Sequence, residues 1–146
     1  MGEPMHQGSC LCGSITYKIE SDLKTVVNCH CSFCRKAHGG VFTPLLFISL
    51  SHLSIITGKY FLKSHHVDNI NADRYFCSEC GTRLYNALPS LNRASIVVAT
   101  LNDVEEIRPI AHLNTESKCS WFQISDGLPQ FISAPSPTEF RQLLNN

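Results

Sequence analysis

The chain has 146 residues, 12 Lys plus Arg against 12 Asp plus Glu, and 43% hydrophobic residues. One domain over 1–146 is the expected organisation, with a core of its own; the hydrophobic content argues against disorder, and the zero formal charge against general nucleic-acid binding. Eight cysteines in so short a chain are the feature that calls for chemistry.

In chain order, residues 14–20 (SITYKIE) alternate, with Ile15, Tyr17 and Ile19 on one face, and read as a half-buried strand. Residues 41–50 (VFTPLLFISL) read as a strand that Pro44 demotes to an edge or a bulge. Residues 53–57 and 60–65 flank Gly58-Lys59 and predict a hairpin with a two-residue turn. Residues 73–77 and 82–86 flank a Cys-x-x-Cys-Gly turn. Residues 94–101 (ASIVVATL) are rich in β-branched side chains and predict a central strand; 107–113 (IRPIAHL) predicts one more, again with a proline. Helix signals are few. A helical turn is expected over 33–37, after Ser32. Near the C-terminus Ser136, Pro137 and Glu139 fit the N-cap, N1 and N3 positions of a capping box, ahead of Phe140, Leu143 and Leu144. The expected class is mainly β with a short C-terminal helix.

The N-terminus, MGEPMHQGSC, shows none of the basic head, apolar core and cleavage site of a signal peptide, and there is no N-x-S/T sequon. No apolar run approaches the ~18 residues of a membrane span. His6 spoils Gly2 as a myristoylation site. The expectation is a cytoplasmic protein without membrane contact, its cysteines held as thiols or metal thiolates. Close clusters favour metal: Cys10-x-Cys12, Cys29-x-Cys31, Cys31-x-x-Cys34 and Cys77-x-x-Cys80, with Cys119 apart. A Cys-x-x-Cys turn lets two sulfurs reach one ion while backbone amides support them. Cys-x-Cys does the same where the chain is extended, because residues i and i+2 share a face.

Cys10, Cys12, Cys77 and Cys80 make an all-cysteine set of four from two remote pairs, each followed by a glycine (Gly13, Gly81). Such a set closes the coordination of a tetrahedral zinc and reads as structural. Cys29, Cys31 and Cys34 supply three thiolates, and three protein ligands with a replaceable fourth position are the pattern of a catalytic zinc. A fourth protein ligand would close that site; the candidates are Cys119, His30, His38, His65, His66 and His112. His30 stands between two of the cysteines, so in an extended segment its ring should point away from the metal. Two zincs per chain would take the formal charge to about −3. Three thiolates donate strongly, so the open position suits a thiol substrate better than hydroxide chemistry.

Four pieces, GSCLCGSITYKI at 8–19, CHCSFCRKAHGG at 29–40, RYFCSECGTRLYN at 74–86 and HLNTESKCSWFQISDGLPQF at 112–131, resemble the glutathione-dependent formaldehyde-activating enzyme family. They stand in the family's order and cover nearly the whole chain. The resemblance implies a zinc-stapled β-sheet fold of the β-tent type. It implies a structural zinc on Cys10, Cys12, Cys77 and Cys80, and a catalytic zinc on Cys29, Cys31 and Cys34. It also implies a carbon–sulfur lyase activity run in the direction of synthesis, joining glutathione or a related thiol to a small aldehyde such as formaldehyde. The implied partners are therefore that thiol and aldehyde, with no nucleic acid and no membrane; a homodimer is compatible with the sequence. Ser32, Arg35, Lys36 and His38 lie close to the metal loop as candidate donors to the developing alkoxide.

Other residues carry two readings each. Arg35-Lys36 either bind a glutathione carboxylate or are simply solvated. Gly39-Gly40 either admit a substrate backbone or make a turn. Trp121-Phe122 either line a pocket or, more often for an aromatic pair, belong to the core. His65-His66 read as a surface turn, and Cys119 as a small buried or partly exposed thiol. Arg74 and Arg83 either offset thiolate charge or pair on the surface. Two other functions fit the cysteines. One is a non-catalytic zinc-binding β-tent module for protein interaction, as in Rab-binding accessory proteins. The other is a methionine-sulfoxide-reductase relative, for which the surroundings of Cys119 (SKCSW) lack the reductase motif. No dinucleotide fingerprint, P-loop, H-E-x-x-H or G-x-S-x-G occurs.

Overall fold

A computed structural model describes residue 2 and residues 4–144. The chain is mainly β and its strands fall into two sheets. In order the elements are β1 (Met5–Ser9), β2 (Thr16–Glu20), β3 (Val26–Cys29), α1 (Ser32–His38), β4 (Thr43–Ser49), β5 (Leu53–Thr57), β6 (Leu62–Val67), β7 (Ala72–Cys77), β8 (Arg83–Leu88), β9 (Arg93–Val97), β10 (Ala111–Leu113) and α2 (Pro137–Leu144). Short 3-10 turns join several of them. No helix among the described residues is long and apolar enough to cross a membrane.

The chain divides into two compact units, and β4 runs from one to the other. The first unit comprises Met1–Leu23 and Leu46–Ile107. In it β2 lies between β1 and β5, antiparallel to both. The period-2 pattern of residues 14–20 does what it predicts: Ile15, Tyr17 and Ile19 are buried. Strands β6 to β9 form an antiparallel meander, in register from Leu62 opposite Cys77 to Leu88 opposite Arg93. A bulge between Tyr75 and Phe76 interrupts the β7–β8 ladder. Leu84 and Ile96 fill its interior.

The second unit comprises Lys24–Leu45 and Arg108–Asn146. Its central feature is a parallel pair, with Ala111, His112 and Leu113 of β10 opposite Val27, Asn28 and Cys29 of β3. Every residue of β3 is buried, so the strand has no polar alternation, and the period-2 test passes over it. β1 is missed for the opposite reason: MHQGS carries almost no apolar signal.

Three expectations need correction. The hairpin about Gly58-Lys59 does not form: β5 pairs with β2, whereas β6 pairs with β7. Gly58 serves a close approach instead, since a Cβ there would lie 1.9 Å from the Ser14 carbonyl oxygen, at φ +79. The strand expected over 107–113 shrinks to three residues, because Pro109 has no N–H to donate and regular bonding begins with Ile110 N–H to Val26 O at 2.9 Å. The run 94–101 leaves β9 after Val97 for a 3-10 turn. By contrast, the capping box forms as read: the Ser136 hydroxyl accepts from Glu139 N at 3.2 Å, and the Glu139 carboxylate from Ser136 N at 3.1 Å.

Candidate metal centres and their surroundings

The first unit gathers Cys10, Cys12, Cys77 and Cys80, with all four sulfurs within 4.8 Å of one another. Two matched knuckles bring them together. In each, a glycine in the left-handed region closes the turn: Gly13 N–H donates to Cys10 O at 3.1 Å, and Gly81 N–H to Cys77 O at 2.8 Å. A hydroxyl two residues past the second cysteine then meets its sulfur, Ser14 at 3.2 Å from Cys12 and Thr82 at 3.2 Å from Cys80. Amides of Ile15 and Glu79 donate to Cys10 and Cys77 at 3.3 and 3.4 Å. The expectation of an extended Cys10-x-Cys12 is thus replaced by a turn; the glycine allows the chain to bend between the two sulfurs and the strand β2.

Electrostatics differ among the four. The Thr82 hydroxyl beside Cys80 holds that thiol down at about 5. Ser14 likewise lowers Cys12. Burial pushes Cys77 up to about 11. Sulfur separations of 3.6 Å (Cys10–Cys12) and 3.9 Å (Cys12–Cys77) suit a tetrahedral zinc, whose bonds near 2.3 Å give edges of roughly 3.8 Å.

In the second unit Cys29, Cys31 and Cys34 form a trio whose sulfurs also lie within 4.8 Å of one another. Cys29 ends β3. Cys31, in extended conformation, is the N-cap of α1, where its sulfur accepts from Cys34 N at 3.3 Å. Cys34 lies one turn on, on the buried side of the helix. The thiol of Cys31 raises that of Cys29, and Cys29 and Cys31 together drive Cys34 far upward. Three sulfurs this close cannot all ionise unless a cation offsets their charge, which is the demand a divalent metal meets. The donor set and spacing fit zinc at both clusters. Among the described residues, no His, Asp or Glu belongs to either group.

His30, between the first two thiols, is fully buried, and its ring turns to His112 rather than joining the sulfurs. His30 Nε2 lies 2.8 Å from His112 Nδ1, and His112 Nε2 lies 2.8 Å from Asp126 Oδ2. The His112 bond holds the Asp126 carboxyl below its ordinary range. The phenyl rings of Phe42 and Phe122 pack on the His30 ring, with centroids 5.1 and 6.3 Å away. Two residues past His112, Asn114 Nδ2 donates to Cys29 Sγ at 3.4 Å. In the sequence His112 stands out only as a possible ligand, and no local spacing signals Asn114 or Asp126.

A cleft of about 340 Å³ opens along α1, lined by Arg35, Lys36, Gly39, Gly40, Cys119 and Trp121 among others. Trp121 is 76% exposed, which corrects the expectation of a core pair, whereas Phe122 is half-buried. A backbone turn separates their fates: Phe122 N–H bonds Cys119 O, and Lys118 Nζ bonds the carbonyl of Phe122 at 2.6 Å. Arg35 is half-buried, with Nε donating to His30 O at 3.3 Å; Lys36 is exposed. His65 and His66 are exposed within β6, where His66 meets Asp73 at 2.7 Å. Arg74 is buried and reaches Asn86 Oδ1 at 3.4 Å, and Arg83 covers the Phe76 ring at 5.0 Å. A third group, His6, Asp103 and Glu106, also comes within 4.8 Å in the first unit, where His6 Nδ1 already meets Asp103 at 2.6 Å.

A mainly β chain that brings seven cysteines into two close clusters is a protein equipped to hold metal. The family model described as glutathione-dependent formaldehyde-activating enzyme matches residues 5–117, and the chain belongs to that family. It is 27% identical to a Halomonas elongata protein named "Putative glutathione-dependent formaldehyde-activating enzyme", over 81% of this chain and 80% of that one. It is 32% identical, over 58% of each chain, to a Schizosaccharomyces pombe protein named "Uncharacterized lyase". A Rhodobacter sphaeroides crystal structure shares the fold, with a TM-score of 0.56 at 19% identity, covering 86% of this chain and 98% of that one.

Proposed function

We propose that this protein is a carbon–sulfur lyase acting in the direction of synthesis, adding the thiol of glutathione to formaldehyde to give the S-hydroxymethyl adduct, with residues 1–146 acting as one functional domain in the cytoplasm. The observation that carries this reading is the trio: three sulfurs converge at the start of α1, and no fourth side chain of metal-ligating type joins them among the described residues. Membership of the family and the lyase-named relative support it.

Cys10, Cys12, Cys77 and Cys80 would hold a structural zinc, closed by four thiolates. Cys29, Cys31 and Cys34 would hold a second zinc with a position left over. When bound there, zinc supplies a Lewis acid that favours the ionised form of a thiol at neutral pH. The chain's own residues supply the rest. Arg35 and Lys36 bring positive charge to the cleft wall and match the carboxylates of glutathione, Lys36 being free to move because it is exposed. Gly39 and Gly40 present backbone without side chains, and the exposed Trp121 face offers an apolar cover that limits water. In the reaction the S–H bond and the C=O π bond break, a C–S bond forms at the carbonyl carbon, and the thiol's proton passes to solvent while the alkoxide takes one up, so no net proton is gained or lost. Ser32, exposed on the first turn of α1, stands as the alkoxide's donor. Most of the gain comes from holding two reactants together, since the addition itself is easy.

Calorimetric titration of the zinc-loaded protein with glutathione, alone and with formaldehyde, tests this reading. Heat with glutathione and a larger response with both is expected; no heat in either titration removes the cosubstrate. Cys31→Ser should abolish adduct formation while the circular dichroism spectrum is kept. Full activity in that variant would overturn the assignment of the trio.

A further inference from the structure

We propose that the segment His112–Asn114, backed by Asp126, is a positioning device for the cysteine trio: it locks the residue between the first two thiols and draws electron density from one of them. The inference rests on the reading that the trio holds zinc.

A carboxylate only accepts hydrogen bonds, so Asp126 requires the proton of His112 to sit on Nε2. With His112 neutral, its Nδ1 is then an acceptor, and His30 Nε2 must donate to it. For neutral rings only one polarity satisfies the chain. Both rings are almost completely buried, so water does not compete for the bond between them; the Asp126 end of the chain is open to solvent. The backbone of His30 is held as well: its N–H donates to Leu113 O at 3.0 Å and its carbonyl accepts from Arg35 Nε at 3.3 Å. His30 is thereby fixed at ring, N–H and C=O. In a Cys-x-Cys segment, the setting of the middle residue decides where both sulfurs point.

The same strand reaches a sulfur directly. Asn114 adopts the left-handed conformation, φ 59 and ψ 42, and its amide donates to Cys29 Sγ at 3.4 Å. An N–H···S bond withdraws electron density, so Cys29 becomes a weaker donor than a sulfur without one. Hydrogen bonds behind a metal's ligands are a general means of setting affinity and electronic character. None of His112, Asn114 and Asp126 would itself be a ligand.

The test uses zinc and cobalt(II) on the full chain, with the four-cysteine cluster as an internal reference. Asp126→Asn keeps the shape of a half-exposed side chain but no longer enforces one proton arrangement. Asn114→Gly keeps the left-handed backbone at ease and removes the short side chain that carries the amide. Chelator competition should show the trio's zinc held about 10-fold to 100-fold less tightly in Asp126→Asn, with the four-cysteine zinc unchanged. In Asn114→Gly, the trio's cobalt–thiolate charge-transfer band should move to lower energy, because the sulfur regains electron density. Two zincs in the wild-type chain with neither effect, or parallel loosening of both sites, would overturn this inference alone. A wild-type chain that takes up zinc only at the four-cysteine cluster would overturn the metal reading, and this inference with it.

Discussion

Tyr17 illustrates how one side chain ties the first unit together. Thr100 Oγ1 donates to Val97 O at 2.8 Å, so the hydroxyl of Tyr17, 2.6 Å from Thr100 Oγ1, must be the donor of that pair. Burial pushes the phenol up to about 12. Because it ionises less readily folded than unfolded, its contribution is complete below pH 10 and is lost as pH rises from 10 to about 12. That loss amounts to about 2–3 kcal/mol. Tyr17→Phe should remove this alkaline component and cost about 1 kcal/mol near neutrality, which urea midpoints on either side of pH 10 would measure. Tyr85, also raised by burial, stays in both proteins and cancels in the comparison. Gly58 gives a second residue-scale prediction. Gly58→Ala should cost roughly 2–4 kcal/mol, since the methyl group meets the Ser14 carbonyl in addition to the left-handed backbone penalty. Gly127→Ala, with the same sign of φ but open space around it, should cost about 1–2 kcal/mol. Equal denaturation midpoints for the two variants would show that the Ser14 contact yields.

At the scale of elements, the two helices answer to different causes. α2 carries its own start signal, the reciprocal Ser136–Glu139 bonds, and buries no residue. Ser136→Ala should therefore destabilise the helix by about 1 kcal/mol while the global midpoint hardly moves. Faster hydrogen exchange at Glu139 and Phe140 with an unchanged melting temperature would check this. α1 is held by a cysteine cap and by Gly39 N–H to Arg35 O at its end, and its inner side buries Cys34. The sequence places a helical turn over 33–37, after Ser32; the helix begins at Ser32 itself, capped by Cys31, and nothing local signals that its cap belongs to the trio. The strands show the same division. β2 could be read from its alternation, whereas β3, buried throughout, and β1, nearly all polar, could not. The missing hairpin at Gly58 has the same origin: a Gly-Lys pair is compatible with a two-residue turn, but the partner of β5 is β2, chosen by long-range packing.

For the molecule as a whole, the two clusters should differ in what their loss does. Cys12 and Cys77 are 65 residues apart, so an ion on the four cysteines would close a long loop and limit the unfolded chain. Stepwise chelation should strip the trio first, with the circular dichroism spectrum kept, and the four-cysteine zinc later, with loss of β structure. Zinc content followed alongside the spectrum tests this; unfolding on loss of the first zinc would contradict the division into catalytic and structural sites.

Spacing alone was enough to pick out the close pairs Cys10/Cys12 and Cys77/Cys80 and the trio Cys29, Cys31 and Cys34, because thiols two or three residues apart can meet whatever the rest of the chain does; that the two pairs meet each other across 65 residues is the work of the fold. The glycine after each knuckle and the capping box of α2 are local in the same sense. Only the tertiary structure decided what stands behind the trio. His112 and Asn114 lie 82 and 85 residues from the groups they bond, and a parallel strand pairing brings them there. No short-range pattern encodes that pairing, since it is selected by burial of β3 among residues remote in sequence.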